Sequence, residues 1–402
     1  MSIYFFIIAC VAGFYMAWNI GANDSANSMA SAVGAKAITF KQAVVIAGIL
    51  EFIGAYFVGS HVTRTIRKGV ISPESFITPE IFAVALLAAI LGAAIWVFIA
   101  TWKEMPVSTT HSIVGALIGV GIVAGGVSVV SWNKVVHIGM SWVISPVLSG
   151  LLAYIIFKII NKTLIIPDDS EKRTKKYFPV FVAVTGFIIG LSFMFKTPLG
   201  KKLDLNLIKI LVYSSVFSGI ITLSFVFIVY KKAKSFYPED VFKILQILTC
   251  SYLAFAHGAN DVANAIGPLS GIYSIYKTGQ ISQMAEVPGF MLAIGGIGIS
   301  IGIFTWGYRV IKTVGYSITE LTNTRGFAIE FATASAVLLA SKLGLPVSTT
   351  HAAVGAIVGI GLARGLEAID LRVVRNIAYA WIVTLPVAAV FAGVIFYMLR
   401  LF

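Results

Sequence analysis

Two short runs of this 402-residue chain set amide and carboxylate side chains into otherwise apolar sequence: Gly21-Ala22-Asn23-Asp24-Ser25-Ala26-Asn27 and Gly258-Ala259-Asn260-Asp261-Val262-Ala263-Asn264. Such groups are costly at bilayer depth, so where they occur they line a polar pathway instead of facing lipid. Asn23, Asp24 and Asn27, with Asn260, Asp261 and Asn264, are hard oxygen donors suited to small cations. The Gly-Ala step beside each could loosen a helix and release backbone carbonyls to the same ion. A polar helix cap turned toward water explains either copy alone, but explains both copies less well.

A second pair of runs points to an anion. Pro106-Val107-Ser108-Thr109-Thr110-His111 recurs as Pro346-Val347-Ser348-Thr349-Thr350-His351, each followed by a glycine-bearing apolar run. Proline suits a first helical turn and Ser or Thr caps free N–H groups, so each run reads as a helix beginning. One cap needs one hydroxyl, and here Ser108, Thr109 and Thr110 stand in a row, as do Ser348, Thr349 and Thr350. Set at the positive end of a helix dipole, three hydroxyls would cradle a tetrahedral oxyanion. The downstream Gly115, Gly119 and Gly121, repeated as Gly355, Gly359 and Gly361, are read as helix packing. His111 and His351 are read as neutral residues donating to a nearby carbonyl, with a proton relay as the alternative. His257 has no counterpart in the first copy, where Ile20 stands.

The elements that must position these groups are membrane helices. The chain is 58% hydrophobic and 12% charged, with a mean hydropathy of +0.93; a soluble domain would carry roughly 25% charged residues. Twelve apolar segments follow one another, and the unusual chemistry falls in the first (3–22), fourth (107–130), eighth (242–266) and eleventh (346–363). The expected fold is therefore an all-α integral membrane protein with about twelve transmembrane segments. The net charge of +13 lies in the loops, which is topogenic and gives no reason to expect nucleic acid. Because the odd-numbered loops hold the larger share of the 30 Lys and Arg, both termini are expected outside a cell membrane. The first segment lacks a basic start and a small-residue cleavage site, so it reads as a retained helix. Cys10 and Cys250 lie inside apolar segments and read as small buried hydrophobes. The charged run 159–176 reads as a solvated loop.

Laid against itself, the chain divides into a first repeat at 1–158, a linker with two connecting helices at 159–241, and a second repeat at 242–402. Equivalent segments lie an odd number of crossings apart, which turns the second repeat upside down unless a segment is a re-entrant hairpin. Inverted repeats with broken or re-entrant helices facing each other near the midplane are the architecture of secondary transporters. The repeated motifs contain no Lys or Arg but do contain Asp24 and Asp261, and Glu51 and Glu330 lie inside other apolar segments. A buried dianion needs countercharge, so cations would bind first and create the anion site.

The duplicated Gly-Ala-Asn-Asp-x-Ala-Asn and Pro-x-Ser-Thr-Thr-His motifs resemble the inorganic phosphate transporter family, across both repeats. The likeness extends to Glu51 in Leu50-Glu51-Phe52, to Thr65-Ile66-Arg67-Lys68-Gly69, and to Glu330 in Gly326-Phe327-Ala328-Ile329-Glu330. The resemblance implies a sodium-coupled importer of inorganic phosphate that is not an enzyme and needs no cofactor beyond co-transported sodium. It also implies that Ser108, Thr109, Thr110, Ser348, Thr349 and Thr350 bind phosphate. Asn23, Asp24, Asn260 and Asp261 would bind sodium, with Glu51, Glu330, Asn27 and Asn264 as coupling or gating candidates. Proton coupling, a metal-phosphate substrate, and sulfate in place of phosphate stay open. A membrane enzyme acting on phosphorylated lipid lacks an ordered base beside its serines, and an uncoupled anion channel would not need paired cation sites. A homo-oligomer is allowed but not specified.

Overall fold

The computed structural model describes residues 1–60, 70–72, 76–196, 206–233, 235–281, 287–342 and 347–401. The run Thr65–Gly69 and Pro346, both named above, lie outside the described residues. Among those described, the chain is all-helical, with thirteen α-helices: α1 Ile3–Gly34, α2 Phe40–Val58, α3 Pro79–Trp102, α4 Thr109–Gly125, α5 Trp132–Ile160, α6 Ser170–Lys196, α7 Leu207–Lys232, α8 Pro238–Thr278, α9 Gly289–Trp306, α10 Tyr308–Tyr316, α11 Asn323–Lys342, α12 Thr349–Arg364 and α13 Leu371–Leu399. Among the described residues, nine are long and apolar enough to cross a membrane; α4, α11 and α12 complete the twelve segments expected from sequence.

Local signals set the helix ends. Thr39 and Gln42 form a reciprocal capping box at α2, and Thr78 followed by Pro79 opens α3. Asp370 accepts from the N–H groups of Arg372 and Val373 to open α13. At the far end of α8, Gly279 takes φ 68°, a left-handed conformation that closes a helix at little cost for glycine. The charged run 159–176 is mostly helix and not loop: α5 continues through a π-turn at Asn161–Ile165, and α6 begins at Ser170. Its charges decorate the solvated end of α6, where Arg173 bonds Asp169 at 2.6 Å and that hydrogen bond holds the Asp169 carboxyl below its usual range.

The two Asn-Asp motifs were expected where an apolar segment loosens; instead α1 and α8 run unbroken through them. The glycines explain this. A Cβ on Gly21 would fall on the Ile299 carbonyl of α9, and one on Gly258 on the Glu51 carbonyl of α2. Both residues permit close helix contact and leave the helix wound. The breaks lie elsewhere, at residues 103–108 between α3 and α4 and just ahead of Thr349.

Contacts come in matched pairs. Gly115 and Gly119 on α4 abut Leu385 and Ala389 on α13, while Gly355 and Gly359 on α12 abut Pro146 and Gly150 on α5. The same pairing joins α2 to α8 and α9 to α1. The motif helices α1 and α8 are antiparallel: Phe6 stacks on Tyr276, Gly13 meets Leu269, and Asp24 approaches His257, so numbers rise on one helix as they fall on the other.

Candidate functional site

The starts of α4 and α12 meet the middles of α1 and α8 in one buried polar cluster. Ser108 and Ser348 serve as helix caps, each accepting from the N–H three residues on, of His111 and His351 respectively, at 3.2 Å. The threonines do something different. Thr109 donates to Asp24 Oδ2 at 2.6 Å, Thr350 donates to Asp24 Oδ1 at 3.1 Å, and Thr349 donates to Asp261 Oδ2 at 3.2 Å. Asn27 donates to Thr349 at 3.3 Å and to Thr350 at 3.0 Å, while Asn264 donates to Thr109 at 3.1 Å and to Thr110 at 3.2 Å. Each Asn thus reaches the hydroxyl run of the other repeat.

Asn23 gives its amide to Thr101 Oγ1 at 2.8 Å and the Met105 carbonyl at 3.0 Å, and accepts from the Val107 N–H at 3.1 Å. It braces the α3–α4 break. Asn260, its counterpart, donates to Asp261 Oδ1 at 2.7 Å, while Leu345, which matches Met105, lies outside the described residues. Asn264 Oδ1 is buried with no donor among the described residues, which leaves an oxygen free within the cluster.

The sequence reading missed the role of His257. Its Nδ1 lies 2.9 Å from Glu51 Oε2, and its Nε2 lies 2.7 Å from Asp261 Oδ2 and 4.0 Å from Asp24 Oδ2. One ligand atom each from Asp24, His257 and Asp261 falls within 4.8 Å of the others. An ionisable side chain one helical turn before Asp261 was the available signal. Lack of a second copy hid it.

Glu330 sits apart from the threonine pocket. Ser31 donates to it at 2.7 Å, Gln246 at 3.2 Å, and Thr249 at short range. Among the described residues, no Lys or Arg lies within ion-pair distance of Asp24, Glu51, Asp261 or Glu330. The site therefore pairs carboxylates with hydroxyls, amides and one histidine and, among the described residues, with no Lys or Arg.

A family model described as the phosphate transporter family matches residues 20–392. The chain belongs to that family. Family membership makes it a membrane transporter and not an enzyme. A provisionally named phosphate permease of Pyrococcus horikoshii is 47% identical over 396 residues, covering 98% of each chain. The chloroplastic inorganic phosphate transporter 2-1 of Arabidopsis thaliana is 40% identical over 415 residues, covering 94% of this chain and 70% of the relative. A solved structure described as the sodium-dependent phosphate transporter superposes with a TM-score of 0.91 at 44% identity, covering 99% of this chain and 100% of that one. Within this family, the all-helical architecture and the multi-pass arrangement follow together.

Proposed function

We propose that the chain is a sodium-coupled symporter that imports inorganic phosphate by alternating access between two inverted repeats, 1–158 and 242–402. The helices of 159–241 join the repeats, and both termini face outward from a cell membrane. The crossed hydroxyl pocket carries this reading: threonines from both helix starts converge on Asp24 and Asp261, and amides from both repeats hold them. Phosphate takes the places on Thr109, Thr349 and Thr350 that the carboxylates occupy here, with Ser108, Thr110 and Ser348 beside them and the helix N-termini behind them. The serines contribute their helix caps and the threonines the direct contacts.

Charge dictates coupling. A phosphate dianion set beside Asp24 and Asp261 is repelled strongly in a low-dielectric site; among the described residues no Lys or Arg is in range and His257 is already shared by Glu51 and Asp261, so the compensating charge arrives with the anion. Sodium, a hard cation, suits the oxygens of Asp24, Asp261, Asn23 and Asn260, with Asn264 Oδ1 as a further ligand. The antiparallel course of α1 and α8 supports the inverted arrangement, and the sodium dependence of the superposed transporter supports the choice of ion. Glu51 and Glu330 act as coupling carboxylates, the first through His257.

The deciding measurement is uptake of radiolabelled phosphate into proteoliposomes under an inward sodium gradient, compared with potassium, with and without a pH gradient, and with excess sulfate as competitor. Sodium-driven accumulation that sulfate leaves intact is expected. Accumulation driven only by the pH gradient would assign the carboxylates to protons, and suppression by sulfate would change the substrate.

A further inference from the structure

The hydroxyl runs end in identical histidines, yet these have different surroundings. Four rings follow one another in the order Trp142, His111, His351, Trp381, with centroid separations of 3.7, 4.4 and 3.7 Å; the first pair is tilted, the second edge-on and the third stacked. His351 Nδ1 lies 3.1 Å from the Trp142 carbonyl. His111 has neither ring nitrogen bonded, although it is buried.

Proline placement accounts for the difference. Pro146 lies four residues after Trp142 inside α5, so the Trp142 carbonyl has no helical N–H to accept from. That orphan carbonyl is what His351 takes. In α13 the matching tryptophan is Trp381, but Pro386 comes five residues later, and it is the Ile382 carbonyl that loses its helical donor. The place equivalent to Pro146 is filled by Leu385: Gly355 abuts Pro146, and Gly115 abuts Leu385. A one-residue shift of proline thus gives one histidine a partner and denies it to the other.

We propose that His351 is a positioning residue for the substrate pocket. By hooking the start of α12 onto the proline-freed carbonyl of α5, it fixes the Thr349–Thr350 half of the cradle, a role His111 does not share. The Thr109–Thr110 half is braced by Asn23 at the α3–α4 break. The two hydroxyl half-sites, alike in sequence, are therefore tethered unequally. This inference rests on the pocket being the phosphate site proposed above, but the tether itself can be tested apart from transport.

The experiment compares His351→Ala, His351→Asn, His111→Ala and Pro146→Ala in proteoliposome uptake and in amide hydrogen exchange over residues 347–355 of the purified protein. A lost buried hydrogen bond is expected to raise the half-saturating phosphate concentration of His351→Ala by about three- to tenfold, with a smaller change in maximal rate. His351→Asn places an N–H near the Nδ1 position and should restore much of that loss. Pro146→Ala gives the Trp142 carbonyl a helical donor and should weaken the tether in the same direction. Exchange over 347–355 should quicken in His351→Ala and not in His111→Ala. Equal effects of the two alanine variants on both readouts, or no restoration by asparagine, would overturn the proposal. If the exchange contrast holds while the wild-type protein moves no phosphate, the tether stands and the substrate assignment is what fails.

Discussion

Replacing Asp24 with asparagine is expected to remove most sodium-driven phosphate uptake while leaving the protein folded. Asp24 is the side chain on which both helix starts meet, accepting from Thr109 on one oxygen and Thr350 on the other. An amide at this place turns one acceptor into a donor and removes the charge that a sodium ion would neutralise. Hydrogen bonds to charged groups contribute about 1.5–3 kcal/mol each, so losing one and reducing the other to a neutral bond corresponds to a rate or affinity loss on the order of a hundredfold. Folding should suffer far less, because removing a buried carboxylate also removes its desolvation cost. Asp261→Asn is the companion variant. Asp261 holds Thr349 and faces His257, so its loss should flatten the sodium activation curve with less effect on the Thr109 half-site. Sodium titrations of initial uptake rate, alongside melting of each variant in detergent, provide the check. Unchanged sodium activation in both variants would sink the cation assignment.

Much of this arrangement was legible because it is written twice. Identical Ser-Thr-Thr-His runs and near-identical Asn-Asp runs mark helix starts and midpoints without reference to any fold. What could not be read is how these residues are used. Asn23 reads from sequence as a cation ligand, yet it meets Met105 and Val107 at a break. That contact is set by chain folding back some eighty residues away, which no local pattern encodes. The hydroxyl runs likewise read as units, whereas the structure divides each into a capping serine and contacting threonines. Glu330 was visible as a costly charge, but its donors come from α1 and α8, distant in sequence from α11. Glycine was the misleading signal. Beside polar residues Gly21 and Gly258 suggested unwinding, and only the neighbouring carbonyls reveal that they serve close approach.

That reading of the glycines leads to the second large effect. Gly258→Ala would drive a Cβ into the Glu51 carbonyl of α2, where backbone cannot yield as a flexible side chain would. Overpacking of this kind typically costs about 1–3 kcal/mol, and here the displaced segment also carries the carboxylate that His257 holds at 2.9 Å. The variant should therefore melt at lower temperature and lose transport together, since separating α2 from α8 takes Glu51 away from His257. Gly21→Ala meets the Ile299 carbonyl in the matching place, but Ile299 carries no charge, so its cost should fall on stability more than on sodium dependence. Gly219→Ala is the control. Nothing lies within 4 Å of a Cβ there, and inside α7 alanine should be neutral or stabilising by up to about 1 kcal/mol. Thermal melts and sodium-activated uptake of the three variants separate the two effects. A Gly258→Ala protein as stable and active as Gly219→Ala would mean that the α2–α8 contact can open without cost, and that Glu51 is not held against His257 by backbone packing.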